Sequence, residues 1–73
     1  MKFANVLVLR DLNRYYTYVI QDDIEPGDHI EIPFGKTTAL GLVMAIIPKP
    51  STRYIIKSMI HQSAHLPRLH LDL

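Results

Sequence analysis

Turn-forming residues divide this chain into pieces too short for most folds. Pro26-Gly27 lies inside Glu25-Pro26-Gly27-Asp28, where proline sets one φ and glycine is free to take φ > 0. Pro33-Phe34-Gly35-Lys36-Thr37 is a second break, and Pro48-Lys49-Pro50-Ser51 a third. Two prolines in three residues exclude a regular element there. Asp11-Leu12-Asn13-Arg14 is a polar, turn-like break upstream of them.

The segments between the breaks are rich in β-branched and aromatic residues. Phe3 to Leu9, Tyr15 to Gln21, His29 to Ile32, Thr38 to Ile47 and Arg53 to Ile60 each read as a strand. Thr38 to Ile47 alternates large Leu40, Leu42, Met44 and Ile46 with small Ala39, Gly41, Val43 and Ala45, which is a period of two. Gly41 inside that run predicts a bulge or a close backbone contact. Short strands at roughly ten-residue spacing predict an all-β fold. The expectation is a small five- to six-stranded OB-like or SH3-like barrel with an extended C-terminal tail, one domain over residues 1–73. The tail carries Pro67 and then Leu69, Leu71 and Leu73, an apolar alternation that could pair with a second chain as an edge.

At 73 residues the chain has little room for a cleft with its own supporting shell, so a non-enzymatic module is expected. It has no cysteine, which excludes disulfides and thiolate metal sites. No apolar run reaches the ~18 residues of a membrane span, and no signal peptide opens the chain, so a cytoplasmic location without membrane contact is expected. The formal net charge of +1 is too small for coating nucleic acid by charge alone.

Few side chains suggest chemistry of their own. His61 and His65 have a helical metal-ligand spacing, but Pro67 breaks the chain soon after them and no carboxylate set completes them. With His29 and His70 they read as surface histidines. Asp22, Asp23 and Glu25 lack the spaced ligands of a calcium loop and read as a solvated turn. No catalytic pair, metal site or cofactor is expected. The tyrosines carry more. Tyr16 and Tyr18 share one face of their strand, while Tyr15 faces the other way and Arg14 precedes them. An outward ring beside a cation can stack a nucleobase and neutralise its phosphate. Gly35 allows a ligand close to the backbone, and Lys36 beside it supplies a positive charge.

Taken in order, Arg14-x-Tyr16-x-Tyr18, then Pro26-Gly27-Asp28-x-Ile30-x-Ile32-Pro33-Phe34-Gly35-Lys36, then Gly41-Leu42-Val43, resemble the N-terminal domain of primosomal protein N-prime, the bacterial replication-restart helicase. Ile55-Ile56-Lys57 and Leu66-Pro67 extend the resemblance, which runs from about Ala4 to Pro67. It implies an OB-like domain that captures the 3′ end of the nascent leading strand at stalled forks or D-loops. The implied DNA-binding residues are Tyr16, whose ring would pack on the terminal nucleotide, Thr17, Gly35 and Lys57, with Lys36 and Arg14 beside them. Thr17 stands where the family's motif has an acidic residue, so it offers one hydroxyl in place of a charged acceptor. Met1 is read as a natural start, and the chain as the N-terminal part of a longer ATP-dependent helicase that contacts other primosome proteins through further domains. The competing reading is an SH3-like barrel serving as an RNA- or protein-binding adaptor.

Overall fold

The computed structural model describes residues 1–50, 56–63 and 66–69. Five strands lie in one sheet: β1 Lys2–Val8, β2 Tyr15–Ile20, β3 His29–Phe34, β4 Thr37–Ile47 and β5 His61–Gln62. Their order is β2-β1-β4-β3-β5, and every neighbouring pair is antiparallel. The all-β expectation is met by a small OB-like domain.

Alternation dictates the core. Ala4, Val6 and Val8 of β1 point inward with Tyr18 and Ile20 of β2 and Ile30 and Ile32 of β3. From β4 the small residues Ala39 and Val43 turn inward, while Leu40 and Leu42 are only half-buried. Gly41 shows why. A Cβ there would sit 2.5 Å from Val6 Cγ1 and 3.2 Å from Ile32 Cδ1. The flanking strands already fill that space, so β4 can present only small residues to the core. Gly41 therefore marks the close contact expected of it. The bulge falls elsewhere on β4: Asn5 opposes Ala45 and Val6 opposes Val43, which leaves Met44 as the extra residue. Such a bulge bends and twists the long strand, as curling the sheet requires.

One segment closes the curl. Val19 N–H donates to Lys57 C=O at 2.9 Å, and Met59 N–H donates to Val19 C=O at 2.8 Å, on the free edge of β2. Ile60 N–H then donates to Glu31 C=O at 2.8 Å, and β5 pairs with the free edge of β3. The fifth strand expected over Arg53 to Ile60 is corrected accordingly. Residues 53–55 lie outside the described residues, Ser58 makes an isolated bridge to Val19, and regular pairing begins only at His61. A segment that crosses from one sheet edge to the other cannot pair continuously with either.

The Pro26-Gly27-Asp28 turn receives the tail. Leu69 N–H donates to Gly27 C=O at 2.8 Å, and a Cβ on Gly27, whose φ is +95°, would lie 1.9 Å from Leu69 O. Arg68 forks onto the fully buried carboxylate of Asp28, Nε to Oδ1 at 2.6 Å and Nη2 to Oδ2 at 2.9 Å. These contacts hold the described tail extended against the turn; Leu71 and Leu73 lie outside the described residues. The acidic turn is tied down by Lys2, whose Nζ donates to the carbonyls of Asp22 and Ile24 and to Glu25 Oε1.

Candidate nucleic-acid interface

The upper seam between the β2 and β3 edges is bridged by side chains. Tyr18, buried, donates its hydroxyl to Pro33 C=O at 2.8 Å. Tyr16 meets Phe34 edge to face, with centroids 5.3 Å apart and planes at 86°. Between these walls lies a cavity of about 260 Å³. Tyr16, Thr17 and Tyr18 form the β2 wall, and Pro33, Phe34 and Gly35 form the other. Lys57 joins the lining because the closing segment passes beneath it, bonded to Val19.

Asp11 controls the orientation of Tyr16. The Tyr16 hydroxyl donates to Asp11 Oδ2 at 2.7 Å, and the Arg14 guanidinium carbon lies 5.5 Å from the Tyr16 ring centroid. Arg14 also pairs loosely with Asp11, at 3.8 Å. The bond from Tyr16, followed by the Asn13 N–H, holds the Asp11 carboxyl below its ordinary pKa. The same bond raises the Tyr16 hydroxyl above its own. Burial raises that of Tyr18. Both rings therefore stay neutral over the physiological range.

Thr17 brings more than its hydroxyl. In an antiparallel strand the N–H and C=O of one residue point the same way, and alternate residues point to opposite edges. Val19 uses both groups toward the seam, so those of Thr17 also face the seam, at the cavity. Among the described residues no strand pairs with β2 there. Among the described residues the Thr17 C=O receives no bond from the closing segment, so the cavity has a main-chain acceptor whatever side chain position 17 carries.

Of the residues singled out from sequence, Tyr16, Thr17, Gly35 and Lys57 come together in this lining. Arg14 and Lys36 do not: Arg14 lies over the Tyr16 ring, and Lys36 is exposed one residue beyond Gly35. Tyr18 and Pro33 were not singled out for the site, and only their seam contact reveals them. Asp11 was read as part of a polar break, and nothing in its spacing signals a bond to Tyr16. Gly35 opens the two-residue hairpin turn between β3 and β4 with φ +64°, as in a type II′ turn, and has no heavy atom within 4 Å of a built Cβ beyond its chain neighbours. Its missing side chain leaves the cavity rim open.

A second cavity, about 330 Å³, is lined by Glu31, Thr38, Leu40, His61 and Ser63 among others. His61 Nε2 pairs there with Glu31 Oε2 at 2.6 Å. Its lining has no Phe, Tyr, Trp, lysine or arginine, and its one imidazole is engaged by a carboxylate that would repel a phosphate, so it is poorly suited to a nucleotide. Among the described residues no group of three or more His, Cys, Asp or Glu is placed to hold a metal; His65 and His70 lie outside them.

A curled antiparallel sheet with two neutral rings and a lysine in its seam defines a small OB-like β domain, an architecture that lends itself to binding single-stranded nucleic acid. A family model described as the 3′DNA-binding domain (3′BD) of PriA matches residues 5–73, and the chain belongs to that family. No curated protein matches the sequence. The chain is thus a non-catalytic domain that binds DNA 3′ ends.

Proposed function

We propose that the seam cavity takes the 3′-terminal nucleotide of the nascent leading strand at stalled forks or D-loops, and that this positions a restart helicase. The observation that carries the reading is the meeting of Tyr16, Thr17, Gly35 and Lys57 around a space of single-nucleotide size. Each group has a physical task. The Tyr16 ring packs on the terminal base or sugar. The Thr17 main chain hydrogen-bonds the base edge, and the bare backbone at Gly35 admits the terminal sugar with its hydroxyl. Lys57 neutralises a phosphate as a point charge. The near-neutral chain suits a pocket that grips one end over a groove that tracks many phosphates. Other primosome proteins would be reached through further domains of an ATP-dependent helicase, and a cytoplasmic location goes with that role.

The reading is tested by fluorescence anisotropy on forks that carry either a free 3′ hydroxyl or a 3′ phosphate. The free end is expected to bind more tightly, with a shallow dependence on salt because few phosphates are contacted. Equal binding of the two ends would overturn it. Lys57→Ala is expected to weaken binding to the free end, and Thr17→Asp to strengthen it by adding a charged acceptor.

A further inference from the structure

We propose that Tyr15, with Arg14, forms a second nucleotide subsite just outside the cavity, where the base immediately 5′ of the terminal one stacks. The inference rests on the terminal nucleotide occupying the seam cavity. That cavity has room for one nucleotide, so the rest of the strand must leave it across the protein surface.

Three observations select the exit. Tyr15 is 57% exposed, and among the described residues it is the one Phe or Tyr that is largely exposed. Phe34, the other ring at the mouth, is already engaged edge-on with Tyr16. Second, the pleat places Tyr15 on the same outer face of β2 as Thr17, two residues and about 6.8 Å away along the strand. A strand leaving the cavity past Thr17 therefore meets Tyr15 within about one nucleotide. Third, Tyr15 stands opposite Leu7 in the β1 register, and Leu7 stands opposite Leu42 of β4. That row gives the ring an apolar bed, which suits a flat stacked partner.

Charge supports the same path. Arg14 is the neighbouring residue, its side chain is 71% exposed, and its guanidinium lies over the Tyr16 ring. It sits on the Tyr16 side of the strand start, next to Tyr15 in sequence, and is the cation assigned to the phosphate joining the last two nucleotides. Its only acidic neighbour at the mouth among the described residues is Asp11, which pairs with it loosely and is otherwise committed to Tyr16 and Asn13. On the far side, Lys36 beyond Gly35 offers a cation, but the ring there, Phe34, is already engaged with Tyr16.

The test is a four-way cycle. Wild-type and Tyr15→Ala proteins are titrated with 3′-hydroxyl oligonucleotides that are normal or abasic at the penultimate position. Removing either the ring or the base is expected to weaken binding about 5- to 150-fold, the usual worth of one stacked base. Removing both should cost no more than removing one, because the pair is a single interaction. Tyr15→Phe should bind like wild type. Independent, multiplying losses, or no loss in Tyr15→Ala, would overturn the subsite. A 3′-phosphorylated oligonucleotide run alongside separates the two levels. If it binds worse while Tyr15→Ala changes nothing, the terminal pocket stands and the subsite falls. If it binds as well as the free end, both fall. An unchanged urea midpoint for Tyr15→Ala confirms that the fold is intact.

Discussion

Gly35 offers a way to separate the cost of a side chain to the protein from its cost to the DNA. Its φ of +64° lies in the left-handed region, where an L-residue pays about 1–2 kcal/mol in backbone strain. Yet the space around a Cβ there is empty of protein atoms within 4 Å beyond the chain neighbours. Gly35→Ala should therefore lose about 1–2 kcal/mol of stability through strain alone. With an m-value near 1 kcal/mol/M, that lowers the urea midpoint by about 1–2 M. A small domain starting near 5 kcal/mol keeps about 3, so folded molecules still outnumber unfolded ones by about a hundredfold. Unfolding then cannot explain a large loss of binding. If the terminal nucleotide lies against Gly35, affinity for a 3′-hydroxyl fork should fall about tenfold or more, at 1.4 kcal/mol per decade. Gly35→Asn is the control, because primed hairpin turns accept Asn better than Ala at positive φ while it adds the same Cβ. It should recover stability but not binding. Wild-type affinity in Gly35→Ala would show that the ligand does not approach the corner. Recovery of both properties in Gly35→Asn would show that the Ala variant fails through a shifted backbone and not a blocked site.

Other consequences concern the frame around the pocket. Gly41→Ala should destabilise by about 1–3 kcal/mol through overpacking against Val6 and Ile32, more than the ~0.4–1 kcal/mol gained by stiffening the unfolded chain. In a Val6→Ala background the same change should cost less, read as urea midpoints of all four proteins. Arg68 holds the Asp28 carboxyl below its ordinary pKa against the opposing effect of burial. A lowered folded-state pKa contributes stability that is present above the unfolded value of about 3.9 and is lost as pH falls through the folded value. The urea midpoint should therefore drop below about pH 4. Arg68→Met should start lower at pH 7 and show a smaller acid drop; identical acid drops would exclude the pair as its cause. Tyr18→Phe removes the hydroxyl bond to Pro33 C=O across the seam and should cost about 0.5–1.5 kcal/mol by thermal melting.

How much of this could be read in advance differs from element to element. The β1, β2 and β4 segments were legible because alternation and Pro-Gly punctuation act within a few residues of chain. The segment after Pro50 was not. Its expected strand dissolved into a crossing from β2 to β3, because the edges it meets are more than twenty residues away in sequence. Tyr16, Thr17 and Gly35 could be picked out through the resemblance of their motif. Asp11 could not, since a carboxylate five residues before a tyrosine has no local meaning until the β1–β2 connection folds back.

By itself the sequence determined that the chain would be all-β, broken into short strands, and related to a family that binds DNA 3′ ends. Local sterics and side-chain alternation suffice for the first two, and the order of motifs for the third. Tertiary structure alone decided that β4 turns its small face inward, because Val6 and Ile32 occupy the space that Leu40 or Leu42 would need. It also brought Lys57 to the seam and set Asp28 under Arg68 from forty residues away. Such placements arise only when both sheet edges must be satisfied at once, since an unpaired edge leaves backbone donors and acceptors without partners. The cavity lies along that seam, between the β2 wall of Tyr16, Thr17 and Tyr18 and the corner at Gly35, because both edges curl toward the segment that carries Lys57.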